Sequence, residues 1–218
     1  MPFLSILTPT WNRGDYLERV WRSLASQTSR DFEWIIGDDG STDETPAIVA
    51  NLAKASDFPI LYIRADRHVG KARIDNEAIR RARGEITAWC DSDDQMEPDA
   101  VRRLTEIWRS IPEHERADFV GITALVATSE GVVADPFDGS GVRDVSWNDL
   151  AEIHRVVGDM FFAARTTTLR AHPFPRSISS FRKAWCGRRS VTRRRVTPRR
   201  YCGGSNTGRP TRSLSATR

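Results

Sequence analysis

Two clusters of acidic side chains stand directly after apolar runs in this 218-residue chain. Asp38 and Asp39 close the run FEWIIGDDGS. In ITAWCDSDDQMEPDA, Asp91, Asp93, Asp94 and Glu97 fall within seven residues. Carboxylates this close repel one another unless a cation or a donor-rich ligand joins them. Magnesium and manganese prefer carboxylate oxygens, bind through one or two of them, and complete their shell with water and phosphate. Asp93 and Asp94 are therefore suited to a divalent metal bridging a diphosphate, and Asp39 to accepting hydrogen bonds from a base or ribose. Lys71 and Arg13 would offset phosphate charge.

These residues need a frame that brings them together, and the first 110 residues supply one. Apolar runs at Phe3 to Thr10, Phe32 to Gly37, Pro59 to Arg64 and Glu85 to Cys90 read as strands. Between and after them, Asp15 to Thr28, Ser41 to Ala55, Lys71 to Arg83 and Pro98 to Ser110 carry apolar residues at helical spacing. Ser41 and Glu44 have capping-box spacing, and Pro98 suits a first helical turn. Strand and helix alternating with short connections predict an α/β fold with a mostly parallel sheet and helices on both faces. Ligands of such sheets bind at the carboxyl ends of the strands, where strand order reverses. There the sequence places Thr8, Pro9, Thr10 and Arg13 after the first strand, and Asp38 and Asp39 after the second. Lys71 follows the third, and Asp91, Ser92, Asp93 and Asp94 follow the fourth.

Plainer roles compete for each of these residues. Ser92, Asp93, Asp94 and Glu97 would stabilise a helix amino terminus without any ligand. Asp38 to Ser41 would serve as a tight turn and cap, and Lys71 as a solvated side chain. Trp11 and Trp89 read as packing residues rather than base-stacking platforms. The repetition of polar groups at successive strand ends is what favours a site.

Past Arg116 the pattern thins. Asp118 to Thr128 reads as a strand, Asp135 to Gly141 as a loop, Trp147 to Val157 as a helix, and Gly158 to Pro175 as a short strand with a helical turn. Charge then changes character. Residues 1–159 carry 18 basic against all 29 acidic residues, a net of −11, whereas residues 160–218 carry 15 basic residues and no acid. From Arg176 onward Gly, Pro, Ser and Thr are scattered without an apolar period, a composition that cannot offset its ordering entropy. The expected organisation is a domain over 1–175, with its nucleotide-binding core in 1–110, and a basic, poorly ordered tail over 176–218.

Three cysteines, Cys90, Cys186 and Cys202, lack metal-ligand spacing and read as free thiols. No apolar run reaches 18 residues and the amino terminus lacks the pattern of a signal peptide, so the expected location is cytoplasmic, at most peripheral at the inner face of the membrane.

SILTPTWNRGDYLERVWRSLASQT, FEWIIGDDGSTDET, GKARIDNEAIRRARGE and WCDSDDQMEPDAV, in that order over residues 3–110, resemble the successive motifs of the family-2 nucleotide-sugar glycosyltransferases. The resemblance implies a GT-A fold. It also implies transfer of a sugar from a UDP- or GDP-sugar to a saccharide or glycolipid acceptor, with inversion and Mg2+ or Mn2+. By position, Thr8, Pro9, Thr10 and Arg13 match the segment lining the nucleotide pocket, and Asp39 matches the base-contacting aspartate. Gly70, Lys71 and Asn76 match one version of the third motif. Asp91, Asp93 and Asp94 match the DxD region that holds metal and ribose or diphosphate.

An inverting transfer also needs a general base for the acceptor hydroxyl. The family places an acid beyond the DxD region, and Asp159 in GDMFF is the last carboxylate of this chain, with Asp144, Asp149 and Glu152 behind it as weaker candidates. The acid-free tail, standing where that base is expected, suggests a reading frame shifted near codon 176, which translation of the other two frames from that point tests. Two other functions fit less well. A nucleotidyltransferase would show a glycine-rich basic loop after the first strand, which TPTWNRGDY is not. A non-catalytic nucleotide-binding protein would use the tail on RNA or an anionic membrane, but the tail holds no recognition motif, so nucleic acid is not an expected partner.

Overall fold

The computed structural model describes residues 1–128, 131–132, 142–146, 160–175, 189–193 and 212–214. Its first half alternates as expected. Strand β1 (Leu4–Thr10) leads to α1 (Gly14–Ala25), β2 (Phe32–Asp38) to α2 (Thr45–Ala55), and β3 (Ile60–Arg64) to α3 (Lys71–Arg81). Next come β4 (Ile86–Trp89), β5 (Asp94–Met96), α4 (Ala100–Arg109) and a 3-10 turn at Glu113–Asp118. Then follow β6 (Phe119–Thr128), β7 (Gly131–Val132), β8 (Val142–Ser146), β9 (Met160–Arg165) and α5 (Thr166–Ala171). Two short strands, β10 (Arg189–Arg193) and β11 (Arg212–Leu214), lie in the basic tail, whose remaining residues fall outside those described.

The sheet runs in the order β3-β2-β1-β4-β9-β6-β10-β8. β3, β2, β1 and β4 are mutually parallel. β9 enters antiparallel between β4 and β6. The chain thus steps outward from β1 through β2 to β3, then crosses to the other side of β1 at β4. Strand order reverses between β1 and β4, so the crevice at their carboxyl ends is the place where such a sheet binds ligands.

β1 and β2 are covered on both faces, which is why LSILTPT and FEWIIGD read as continuous rather than alternating runs. Leu17, Val20 and Leu24 of α1 bury one helical stripe against this sheet, joined by Leu104 and Trp108 of α4. Glu33, 1% exposed in the middle of β2, accepts from Ser5 Oγ at 2.7 Å, Arg83 N at 2.6 Å and Arg83 Nε at 2.8 Å. Those donors make a buried carboxylate tolerable. Where β6 meets β9, Gly121 faces Ala164 in register, and a side chain at Gly121 would collide with the Ala163 carbonyl. No helix among the described residues is long and apolar enough to cross a membrane.

Two helix starts differ from expectation. α2 begins at Thr45, not Ser41, because Ser41 is already engaged. Its N–H donates to Asp38 Oδ1 at 2.8 Å and its Oγ accepts from Asn12 N at 2.9 Å. Asp43 does the capping instead, accepting from Thr45 N at 3.1 Å. α4 begins at Ala100, past Pro98, and the acids at 91–94 do not cap it, since β5 intervenes. Gln27, just past the end of α1, supplies the cap, with Oε1 accepting from Val101 N at 3.1 Å and Nε2 donating to Glu97 O at 2.7 Å.

A candidate donor site at the β1–β4 crevice

The crevice is held from below by a chain of hydrogen bonds. Trp34 Nε1 donates to Thr8 Oγ1 at 2.9 Å, and Thr8 Oγ1 donates to Cys90 O at 2.7 Å. The ends of β1, β2 and β4 are thereby locked together, and both bonds are buried. Thr8 is thus a structural residue beneath the site, and Thr10 Oγ1, also buried, has no hydrogen-bond partner. Pro9 pairs with Gly37 in the parallel ladder. Burial, and then the charges of Asp94, Asp91 and Asp93, push the Cys90 thiol well above its usual range, consistent with a small core residue.

Above this base lie the acids that follow β4. Asp93 is half-exposed, its carboxylate 3.4 Å from Arg13 Nη1, while Arg19 Nη2 donates to its carbonyl at 2.8 Å. Asp94 and Ser92 are buried, Asp94 at the start of β5. Asp91 lies 3.6 Å from Lys71 Nζ, and its buried Oδ1 has no hydrogen-bond partner. The half-exposed carboxylate of Asp93, with that of Asp94 next to it in the chain, supplies the oxygen ligands that a hard divalent cation prefers. Among the described residues no three His, Cys, Asp or Glu side chains converge to cage a metal unaided.

Lys71 is 56% exposed, and its amine stands between two carboxylates. It reaches Asp75 Oδ2 at 3.0 Å as well as Asp91, bridging a buried and a half-exposed carboxylate. Asp75, unremarked in the sequence because α3 reads as a plain amphipathic helix, also faces Trp89 Nε1 at 3.4 Å. Burial holds its carboxyl above the ordinary aspartate value of 3.8, with Lys71 pulling the other way. A folded pKa above the unfolded one means that the folded chain binds this proton more tightly. The group's stabilising contribution is therefore present at acid pH and lost as the pH rises from about 3.8 upward. We expect the Tm of the native chain minus that of Asp75→Asn to fall between pH 4 and pH 7, a window set by that ordinary value. Parallel melting curves across the range measure it, and a constant difference would contradict the assignment.

The second acid pair divides its roles. Asp38 is fully buried, takes hydrogen bonds from Tyr62 Oη and Ser41 N, and has Arg64 Nε 3.7 Å away. It organises the turn after β2 and presents no free oxygen to the crevice. Asp39 accepts from Val69 N at 2.6 Å and from Gly70 N at 2.9 Å, and has His68 Nδ1 2.9 Å from Oδ2. Asn76 lies away from the acids and clamps the Phe174 backbone, donating to its carbonyl at 2.9 Å and accepting from its N–H at 2.8 Å. Trp89 packs on Phe162 and Phe174 as expected. Trp11 does not pack in the core. It is 48% exposed and stacks on His68 with ring centroids 4.1 Å apart.

Asp159, Asp149 and Glu152 lie outside the described residues. Asp144 is exposed on β8, at the far edge of the sheet, four strands from β4. At about 4.8 Å per strand that is roughly 19 Å from the crevice. A groove of about 870 Å³ between β3 and α3, walled by Arg64, Arg67, Arg73, Arg80 and Arg81, contains none of the strand-end acids.

The order of strands, the antiparallel insertion of β9 and the acids beyond β4 define a GT-A fold. The chain superposes with a TM-score of 0.63 on S. aureus TarS 1-349 in complex with UDP-GlcNAc, at 22% identity, covering 90% of this chain and 60% of that one. On the mannosyltransferase PcManGT from Pyrobaculum calidifontis in complex with GDP-Man and Mn2+ the TM-score is 0.56, at 22% identity, covering 80% and 48%. Residues 5–122 match glycosyl transferase family 2, and the chain belongs to that family. It is 33% identical over 143 residues to the GalNAc(5)-diNAcBac-PP-undecaprenol beta-1,3-glucosyltransferase of Campylobacter jejuni, covering 66% of this chain and 44% of the relative. It is 30% identical over 208 residues to the putative glycosyltransferase EpsH of Bacillus subtilis, covering 82% and 58%. The chain spans about half the length of these relatives.

Proposed function

We propose that this chain binds a nucleoside diphosphate sugar in the β1–β4 crevice and transfers the sugar, with inversion, to a hydroxyl of a saccharide or lipid-linked acceptor. The observation that carries the reading is the convergence of Asp91, Asp93 and Asp94 with Arg13 and Lys71 at the point where strand order reverses. The Campylobacter relative named for an undecaprenol-linked acceptor, and the solved GDP-mannose and UDP-GlcNAc complexes, support the substrate class.

In this reading Asp93 and Asp94 hold magnesium or manganese, which when bound neutralises charge on the departing diphosphate. Arg13 and Lys71 add positive charge on either side, and Asp91 accepts from the ribose. Asp39 accepts from the base. The acceptor oxygen forms its bond to the anomeric carbon as the bond from that carbon to the diphosphate oxygen breaks, and its proton passes to a carboxylate, which we assign to Asp159. The reaction takes place at the cytoplasmic side, where the protein is at most peripheral to the membrane.

A thermal-shift series with UDP and GDP, each with and without Mn2+, tests the site. Saturating the correct diphosphate at about 100 times its Kd is worth about 2.7 kcal/mol. For a chain of this size that raises Tm by roughly 5 to 10 °C. Absence of any shift with either nucleotide in the presence of Mn2+ would sink the proposal.

A further inference from the structure

The expected base-binding position is filled by the protein's own side chain. Asp39 is 6% exposed at its side chain, and both of its carboxylate oxygens are already engaged. Oδ1 takes Val69 N at 2.6 Å and Gly70 N at 3.0 Å, while Oδ2 takes Gly70 N at 2.9 Å and faces His68 Nδ1 at 2.9 Å. With the side chain only 6% exposed and the imidazole seated on Oδ2, a base reaches the acceptor sites of this carboxylate only if His68 moves. The imidazole also lies flat against Trp11, at 4.1 Å between centroids and 23° between planes. It is a planar ring, stacked on an indole, with a ring nitrogen 2.9 Å from a carboxylate oxygen. A nucleobase with a ring N–H would need the same contacts.

The backbone around His68 is fixed. Gly40, at φ 76°, lets the Arg67 backbone approach so closely that a side chain at position 40 would collide with it. The two amide donors at 69 and 70 tie the segment to Asp39. The part free to leave is the His68 ring, which is 54% exposed.

We propose that His68 is a plug in the nucleobase slot, and that donor binding is an exchange in which the base displaces the imidazole from Trp11 and Asp39. The proposal rests on the reading of Asp39 as the base acceptor. His68 then sets donor affinity. A protein whose open form is a minority binds more weakly by the fraction that is open, so removing the plug removes that penalty.

The test is calorimetric titration of the full chain with UDP, GDP and ribose 5-phosphate in the presence of Mn2+, using native protein, His68→Ala and Asp39→Asn. His68→Ala is expected to tighten UDP or GDP about 5- to 10-fold, the gain for a slot that is open about 10 to 20% of the time, and to leave ribose 5-phosphate unchanged. Asp39→Asn keeps an oxygen for the two backbone amides, loses the acceptor facing the base, and should weaken the same nucleotide about tenfold. If Asp39→Asn weakens binding but His68→Ala leaves it unchanged or weaker, His68 is no plug and the base site stands. A gain in His68→Ala shared by ribose 5-phosphate overturns the plug as well, because the effect is then not at the base. If neither variant alters UDP or GDP binding, the base site itself is wrong.

Discussion

Asp93→Ala is expected to lower the rate of sugar transfer at least about 100-fold while moving Tm by no more than about 3 °C. The two halves of this expectation come from different observations. Asp93 is 41% exposed at its side chain, and its one ion pair, with Arg13, is 3.4 Å long and itself half in solvent. Such pairs contribute about 0 to 1 kcal/mol to stability, so the fold should scarcely register the change. The rate is another matter. If Asp93 holds the cation, alanine removes a direct ligand, and even residues one step behind a metal ligand are commonly worth 10- to 100-fold. Asp93→Asn separates charge from shape, and should lose nearly as much because a neutral amide is a poor ligand for a hard cation. Initial rates with a saturating UDP- or GDP-sugar and Mn2+, alongside melting curves for all three proteins, provide the measurement. An Asp93→Ala enzyme working within about threefold of native would move the metal elsewhere, contrary to the carboxylate preference of such ions.

The largest effect on stability should come from Trp34→Ala, which is expected to cost about 3 to 5 kcal/mol and lower Tm by roughly 6 to 20 °C. Trp34 is fully buried in β2, one of the bulkiest side chains in the core, and sits among Ile36, Leu17 and other members of the main apolar cluster. Its removal leaves a cavity that a parallel sheet, hydrogen-bonded on both sides of β2, is poorly able to close. The indole N–H also carries the bond to Thr8 that leads on to the Cys90 carbonyl. Trp34→Phe retains most of the volume and removes only that bond, so it should cost about 1 to 2 kcal/mol. Chemical denaturation of the three proteins distinguishes the contributions. Equal losses for Ala and Phe would assign the whole effect to the hydrogen bond, and a negligible loss for Phe would assign it to packing.

How much of this was legible beforehand depended on whether an element's partners lay nearby in sequence. β1, β2 and β4 were readable because a strand buried on both faces leaves an unbroken apolar run, and β3, a partly buried edge strand, was readable from the apolar run ILYI. Alternation with helices then implied a mostly parallel sheet with polar groups at its strand ends, while the strand order itself is known only from the structure. Helix starts were read less well, because capping is a competition. Ser41 and Glu44 have the right spacing, but Asn12 and Asp38, from two other segments, claim Ser41 first. α4 takes its cap from Gln27, 74 residues before Val101. β5, three residues long, lies below any periodicity signal and took the DxD acids away from the helix they seemed to cap.

In the site, Arg13 stands beside Asp93 and Lys71 beside Asp91. Asp38 and Thr8 instead support the crevice from beneath, and Asn76 serves the Phe174 backbone. His68, Trp11 and Asp75 were not singled out for the contacts they make. An exposed tryptophan after β1 and a histidine in the loop before α3 have no sequence relation that announces stacking, and the pairing exists only because Gly40 admits that loop. Asp75 would have stood out only to a reader who asked what Lys71, one turn earlier, was paired with.

The seam between β6 and β9 sets a limit on recombining this protein with others. With Gly121 pressed on the Ala163 carbonyl and only methyl groups at Ala163 and Ala164, the two strands meet nearly backbone to backbone. A chimera whose junction fell between β6 and β9 would pair one native strand with one foreign strand at that joint. Any side chain at position 121 would press on the Ala163 carbonyl and push at β9, which is also the neighbour of β4. Exchange points should therefore fall outside the span from β6 to β9, so that the two strands travel together as one cassette.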